Sequence, residues 1–261
     1  MSFQDAVITG QAPDGGLLLP TSIPDVSNHI AEWRELSFVE LACRIMALYA
    51  DDIPEDDLAG LIRRSYSNFD HSEITPLVPV GELQVLELFH GPTLAFKDIA
   101  LQFLGNLFEY ILEQRNDCLN ILGSTSGDTG SAAIAGVRGK ARISIFILYP
   151  EGKPSRLQAL QMTTVPDENV HCFAVDGSFD DCQRIMKEAF NDLAFKQTYH
   201  LGAVNSVNWA RLLAQIVYYA YAALKLNAAG TRKVSFSVPT GNFGDIFAGF
   251  LAREMVFLST G

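Results

Sequence analysis

From Val85 onward the chain alternates short apolar runs with segments of helical periodicity. Val85–Phe89, Leu119–Leu122, Ile143–Leu148, Val170–Val175 and Val234–Val238 read as strands. Ile99–Gln114, Asp128–Val137, Ser155–Met162, Phe179–Asn191, Trp209–Leu224 and Asp245–Arg253 read as helices. A strand that returns to its sheet through a helix comes back parallel, so this order predicts an α/β fold: open, mostly parallel sheet with flanking helices. The first 75 residues differ. Ser37 caps a helix predicted through Tyr49, with Phe38, Leu41, Ala42, Ile45 and Leu48 on one face, and the acidic run 51–57 opens a second. Ala12–Gly16 is a turn before the apolar Leu17–Leu19.

Size and charge narrow the function. A chain of 261 residues with 48% apolar and 19% charged residues can build real cores. A net charge of -11 argues against nucleic acid or an acidic membrane as partner, while helix N-termini can still take small anions. Cys43, Cys118, Cys172 and Cys182 are scattered without zinc-ligand spacing, so no metal is expected and reduced thiols are. The start has no basic segment followed by an apolar core, and Leu212–Leu224 is too short to span a bilayer. A soluble, cytoplasmic protein is expected.

Chemistry concentrates around Leu86–Asp98. An apolar run ends at Gly91-Pro92, and Lys97 follows the small and apolar Leu94-Ala95-Phe96. A lysine amine desolvated by such neighbours can attack a carbonyl and hold an aldehyde cofactor. Taken alone, a lysine at a helix start is more often a snorkelling surface residue. Two downstream turns change the weighing. Gly123-Ser124-Thr125-Ser126-Gly127-Asp128-Thr129-Gly130 runs from strand to helix, with N–H groups and hydroxyls suited to a carboxylate or phosphate. The same residue types also make ordinary helix caps. Val238–Ile246 repeats the strand-turn-helix theme, with Gly241 and Gly244 around a turn able to wrap a phosphate monoester. Asp245 there suits a cap as well as a ligand contact. Neither turn matches GxxxxGK[ST] or GxGxxG, so nucleotide sites have no support. A reactive lysine with two anion-binding turns downstream fits pyridoxal 5'-phosphate (PLP) and an amino-acid substrate.

Leu86–Asp98, Ser124–Ala133 and Ser237–Gly249 together closely resemble threonine synthases of the bacterial and fungal type. Ala12–Gly16, Ile147–Lys153, Leu160–Val165 and Ala203–Gln215 resemble them further, in the family's order. The resemblance implies the fold type II architecture of PLP enzymes, related to the tryptophan synthase beta subunit. It implies conversion of O-phosphohomoserine and water to threonine and phosphate. It also implies an N-terminal helical region (1–75), a large PLP-binding domain (76–97 with 200–261) and a smaller α/β domain (98–199). By motif, Lys97 would be the Schiff-base lysine. Gly241, Asn242, Phe243 and Asp245 would hold the cofactor phosphate, with Gly244 allowing close approach. Ser124, Thr125, Ser126, Asp128 and Thr129 would line the substrate side, and Asn205, Asn208 and Arg211 would reach substrate or cofactor. Arg211 could pair with the substrate phosphate or serve a structural ion pair. A monomer or homodimer is expected.

The likeness fades after Ala252-Arg253-Glu254-Met255. The family continues well beyond this point, so the large domain is expected to be incomplete, without the hydroxyl partner of the pyridine nitrogen, and turnover weak or absent. Three rivals stand beside the main reading. A threonine synthase-like phospho-lyase would yield a keto acid, a non-catalytic remnant would bind a partner, and a P-loop protein lacks its motif.

Overall fold

The computed structural model describes residues 1–12, 16–203, 208–227, 233–241 and 243–257. Four helices come first: α1 (Phe3–Thr9), α2 (Ile30–Trp33), α3 (Phe38–Ala47) and α4 (Glu55–Tyr66). A hairpin of β1 (Leu77–Val80) and β2 (Leu83–Leu86) leads to α5 (Lys97–Arg115). Next come β3 (Leu119–Ser124), α6 (Asp128–Val137), β4 (Ile143–Pro150), α7 (Arg156–Thr163), β5 (Val170–Val175), α8 (Phe179–Asn191) and α9 (Leu193–Thr198). β6 (Leu201–Gly202), α10 (Trp209–Leu226) and α11 (Phe243–Glu254) complete the order.

Local chemistry explains the helix starts. Ser37 Oγ accepts from the Glu40 N–H while Glu40 Oε2 accepts from the Ser37 N–H, a reciprocal cap at the head of α3. Glu55, Asp56 and Asp57 sit in the first turn of α4 and Arg63 and Arg64 in its last, each sign at the favourable end of the helix dipole.

The main sheet is parallel throughout, in the order β5-β4-β3-β6. Leu119 to Ser124 pair with Ile143 to Leu148 in register, and Ile121, Ile143, Ile145 and Ile147 are buried in the core. α10 is buried on every side from Trp209 to Leu224, as expected for a helix that others wrap around, and it packs against α3, α5 and α11. Two polar residues, Arg211 and Gln215, lie inside this helix and are buried with it.

α5 and α6 meet backbone to backbone. A Cβ at Gly105 would lie 2.0 Å from the Gly136 carbonyl oxygen, and one at Gly136 would lie 2.4 Å from that of Leu101. Only hydrogen side chains let the two helices approach this closely.

Two predicted strands come out differently. Val85–Phe89 contributes only its start: β2 ends at Leu86 and pairs antiparallel with β1, outside the parallel sheet. Leu77 is preceded by Pro76, which has no N–H with which to prolong the ladder, and its carbonyl takes the Glu87 N–H at 3.0 Å. Val234–Val238 is not a strand in the described structure. Val234, Phe236 and Val238 are half-buried while Ser235 and Ser237 are exposed, the alternation of an extended chain. A cavity of about 600 Å³ lies between this segment and the β1–β2 hairpin, so the pattern is realised without a ladder.

A Gly105→Ala variant is expected to lose about 1–3 kcal/mol of stability through overpacking at the α5–α6 crossing. Urea unfolding would show it as a lower midpoint with an unchanged slope.

Candidate active site

The approach to Lys97 is tightly specified. Leu94 holds a left-handed backbone (φ 60°), costly for a side chain with a Cβ. Next to it, the buried Asp98 carboxylate accepts the Thr93 N–H and the Thr93 hydroxyl, both at 2.8 Å. Burial pushes the Asp98 carboxyl up, against the pull of the Thr93 hydrogen bonds. Gln161 Nε2 of α7 donates to the Thr93 carbonyl at 3.1 Å, tying the turn to the neighbouring helix. These bonds hold the strained turn and set Lys97 as the first residue of α5.

Lys97 Nζ lies 2.8 Å from Asp128 Oδ2, at the head of α6, with 13% of the lysine side chain exposed. Where the residues before it predict an apolar setting, the fold adds a carboxylate; the apolar component is the Phe96 ring, its centroid 5.3 Å from Nζ.

The β3–α6 turn divides its labour. Thr125 Oγ1 accepts the N–H groups of Gly127 at 3.1 Å and Gly130 at 3.0 Å and donates to the Gly127 carbonyl. Its hydroxyl is thereby committed to shaping the turn. With Lys97, Ser124, Thr125, Ser126, Asp128 and Thr129 all line a cavity of about 370 Å³.

The far wall comes from α10 and α11, as Arg211, Gln215, Gly244 and Asp245. Arg211 is only 3% exposed, and its Nε and Nη1 have no hydrogen-bond partner. Burial pushes the guanidinium down to about 10, which leaves it charged at neutral pH. One turn further, Gln215 Oε1 is also buried without a partner. Buried polar groups are nearly always satisfied, so orphans facing a cavity mark a place for a ligand. Arg211 forms no salt bridge among the described residues, which removes the structural ion pair as its explanation.

Other expected site residues fall elsewhere. Asn208 is buried at the head of α10, where Oδ1 accepts the Ala210 N–H and Nδ2 donates to the Val7 carbonyl of α1. It caps and ties, and does not line the cavity. Gly241 does not line it either, and the Phe243 side chain is 78% exposed. Asp245 Oδ1 accepts the hydroxyls of both Tyr218 and Tyr219, which ties its carboxylate to α10. Asn205 and Asn242 lie outside the described residues. Sequence reasoning passed over Asp98, Gln215, Tyr218 and Tyr219. Gln215 was within reach of it, since a cavity-facing Arg211 puts the residue four positions on along the same face.

Residues 69–254 match the family described as pyridoxal-phosphate dependent enzyme, well over half of the chain. The chain belongs to this family. Residues 1–66 match a second family, described as threonine synthase N terminus. This family member is 53% identical over 267 residues to threonine synthase of Schizosaccharomyces pombe, a match covering 97% of this chain and 52% of the relative. Its structure is similar to PLP-bound threonine synthase from Brucella melitensis (TM-score 0.92, 47% identity, 98% of this chain and 55% of that one). It is equally similar to the yeast threonine synthase structure (TM-score 0.92, 52% identity, 98% and 53%). The chain thus spans about half the length of the relatives it matches, and it shares their fold type II architecture. Among the described residues no helix is long and apolar enough to cross a membrane.

The residues present fit the family's cofactor. Lys97 offers an amine for the aldehyde and the head of α11 offers N–H groups in the same cavity, while the orphaned Arg211 guanidinium there suits a further anion. Arg211→Met is expected to remove anion binding and yet stabilise the unliganded protein by about 1–3 kcal/mol, because it deletes an unpaired buried charge. Phosphate titration and urea unfolding of the same preparation would read both effects; loss of stability together with loss of binding would contradict the assignment.

Proposed function

We propose that this chain carries the PLP site of a threonine synthase, which converts O-phosphohomoserine and water to threonine and inorganic phosphate. The observation that carries the reading is the convergence of Lys97, the hydroxyl-lined β3–α6 turn and the unpartnered Arg211 on one cavity. Identity near 50% to threonine synthases over almost the whole chain supports it.

PLP, when bound, supplies an electron sink for carbanion charge on the substrate. The chain's own groups do the rest. Lys97 Nζ accepts and returns protons along the substrate carbons, and Asp128, 2.8 Å away, orients the amine and balances its charge. Arg211 gives two N–H donors to a phosphate monoester whose charge grows as it leaves. Ser124, Ser126 and Thr129 orient the substrate carboxylate with hydroxyl and backbone donors. Thr125, Asn208 and Phe243 act at one remove, through the turn, the α10 cap and the head of α11. The four cysteines are all free, in keeping with a cytoplasmic, reducing setting. The net charge of -11 supports a small-molecule partner over a nucleic acid.

Mixed with PLP, the chain should show a visible absorption band that a Lys97→Ala variant lacks. Any phosphate released from O-phosphohomoserine, expected to be little given the half-length of the chain, should be accompanied by threonine. A keto acid in its place would assign the site to a phospho-lyase, and a band that survives Lys97→Ala would remove the lysine from its role.

A further inference from the structure

Asp245 poses a physical question. A carboxylate in the first turn of α11 stands beside a cavity suited to anions, and it is 5% exposed. Its partners are hydroxyls: Tyr218, fully buried, and Tyr219, at 3.0 Å, both donate to Oδ1. Burial and the neighbouring carboxylate push both tyrosines well above their ordinary range, so they remain protonated donors. Its negative charge is thus held on the α10 side and favoured by the helix dipole.

Tyr219 grips α11 at a second point. A Cβ at Gly249, one turn beyond Asp245, would lie 3.1 Å from the Tyr219 ring, so helix and ring are in tight contact. One hydroxyl contact and one ring contact on the same face fix the rotation of α11 about its axis. Rotation decides where the first-turn N–H groups point, and Gly244 in that turn lines the cavity. Arg211, two turns before Tyr218 on α10, presents its unpartnered guanidinium to the same space.

We propose that Tyr218, Tyr219 and Asp245 form a positioning clamp that aims the head of α11 at the cavity and so sets its affinity for the cofactor's phosphate group. The clamp rests on the PLP reading above and assigns a role to two tyrosines that do not line the cavity with Lys97. It makes a specific demand: loosening it weakens recognition of the phosphate and spares recognition of the aldehyde by Lys97.

Pyridoxal, which keeps the aldehyde and lacks the phosphate, separates the two. The unmodified chain, Tyr218→Phe, Tyr219→Phe and the double variant would each be titrated with PLP and with pyridoxal through the visible band. Unfolding midpoints would be recorded alongside. The double variant should lose about tenfold in affinity for PLP and less than about twofold for pyridoxal. Asp245→Asn, which keeps an oxygen for the hydroxyls, should retain more of the PLP preference than Asp245→Ala. An unchanged ratio of the two affinities in folded variants, or an equal loss of both, would overturn the clamp. Absence of any band from the unmodified chain would instead overturn the cofactor reading beneath it, and the clamp with it.

Discussion

The close crossing of α5 and α6 sets the geometry on which the site depends. Lys97 is the first residue of α5 and Asp128 the first of α6, and the glycines at the crossing, Gly105 and Gly136, each lie eight residues further on. Both helices therefore run about 12 Å from that contact to the cavity. With the axes pinned by backbone contact, the ion pair at their heads has little freedom left. A methyl group at either glycine, two turns away, would push against the backbone of the neighbouring helix.

The opposite wall is organised by α10. Its burial on every side means that its polar residues cannot turn to solvent, so each must find a partner or wait for one. Tyr218 and Tyr219 find Asp245; Arg211 and Gln215 face the cavity with atoms still unpaired. One helix thereby supplies a cation, a carbonyl and the attachment of the neighbouring helix. Precision comes from its rigidity, because a site carried on a packed helix moves only if the core moves.

Much of this architecture is legible in the sequence because the signals are local. Phe179–Asn191 and Asp128–Val137 are helices at their predicted limits, with Ser178 capping the first. Alternation of strand and helix predicts the parallel sheet, and the turn residues mark the loops ahead of α6 and α11. What escapes is what depends on distant partners. Val234–Val238 has the period of a strand, but pairing is a property of a neighbour and leaves no trace in the segment itself. Asp128 reads as a substrate-side residue, and its ion pair with Lys97 appears only when α5 is brought to it; Asp245 suits a cap as well as a ligand contact, and its two tyrosine partners appear only when α10 packs on α11. Asn208 resembles a site residue because helix caps and ligand contacts draw on the same side chains.

The unpaired guanidinium of Arg211 has a consequence outside catalysis. An anion that satisfies it binds the folded chain and has no comparable site on the unfolded one, so its binding energy adds directly to the folding equilibrium. Where such an anion binds, its supply would govern how long the protein lasts. In a cell where proteases sample the unfolded fraction, the abundance of this chain would then follow the concentration of that anion.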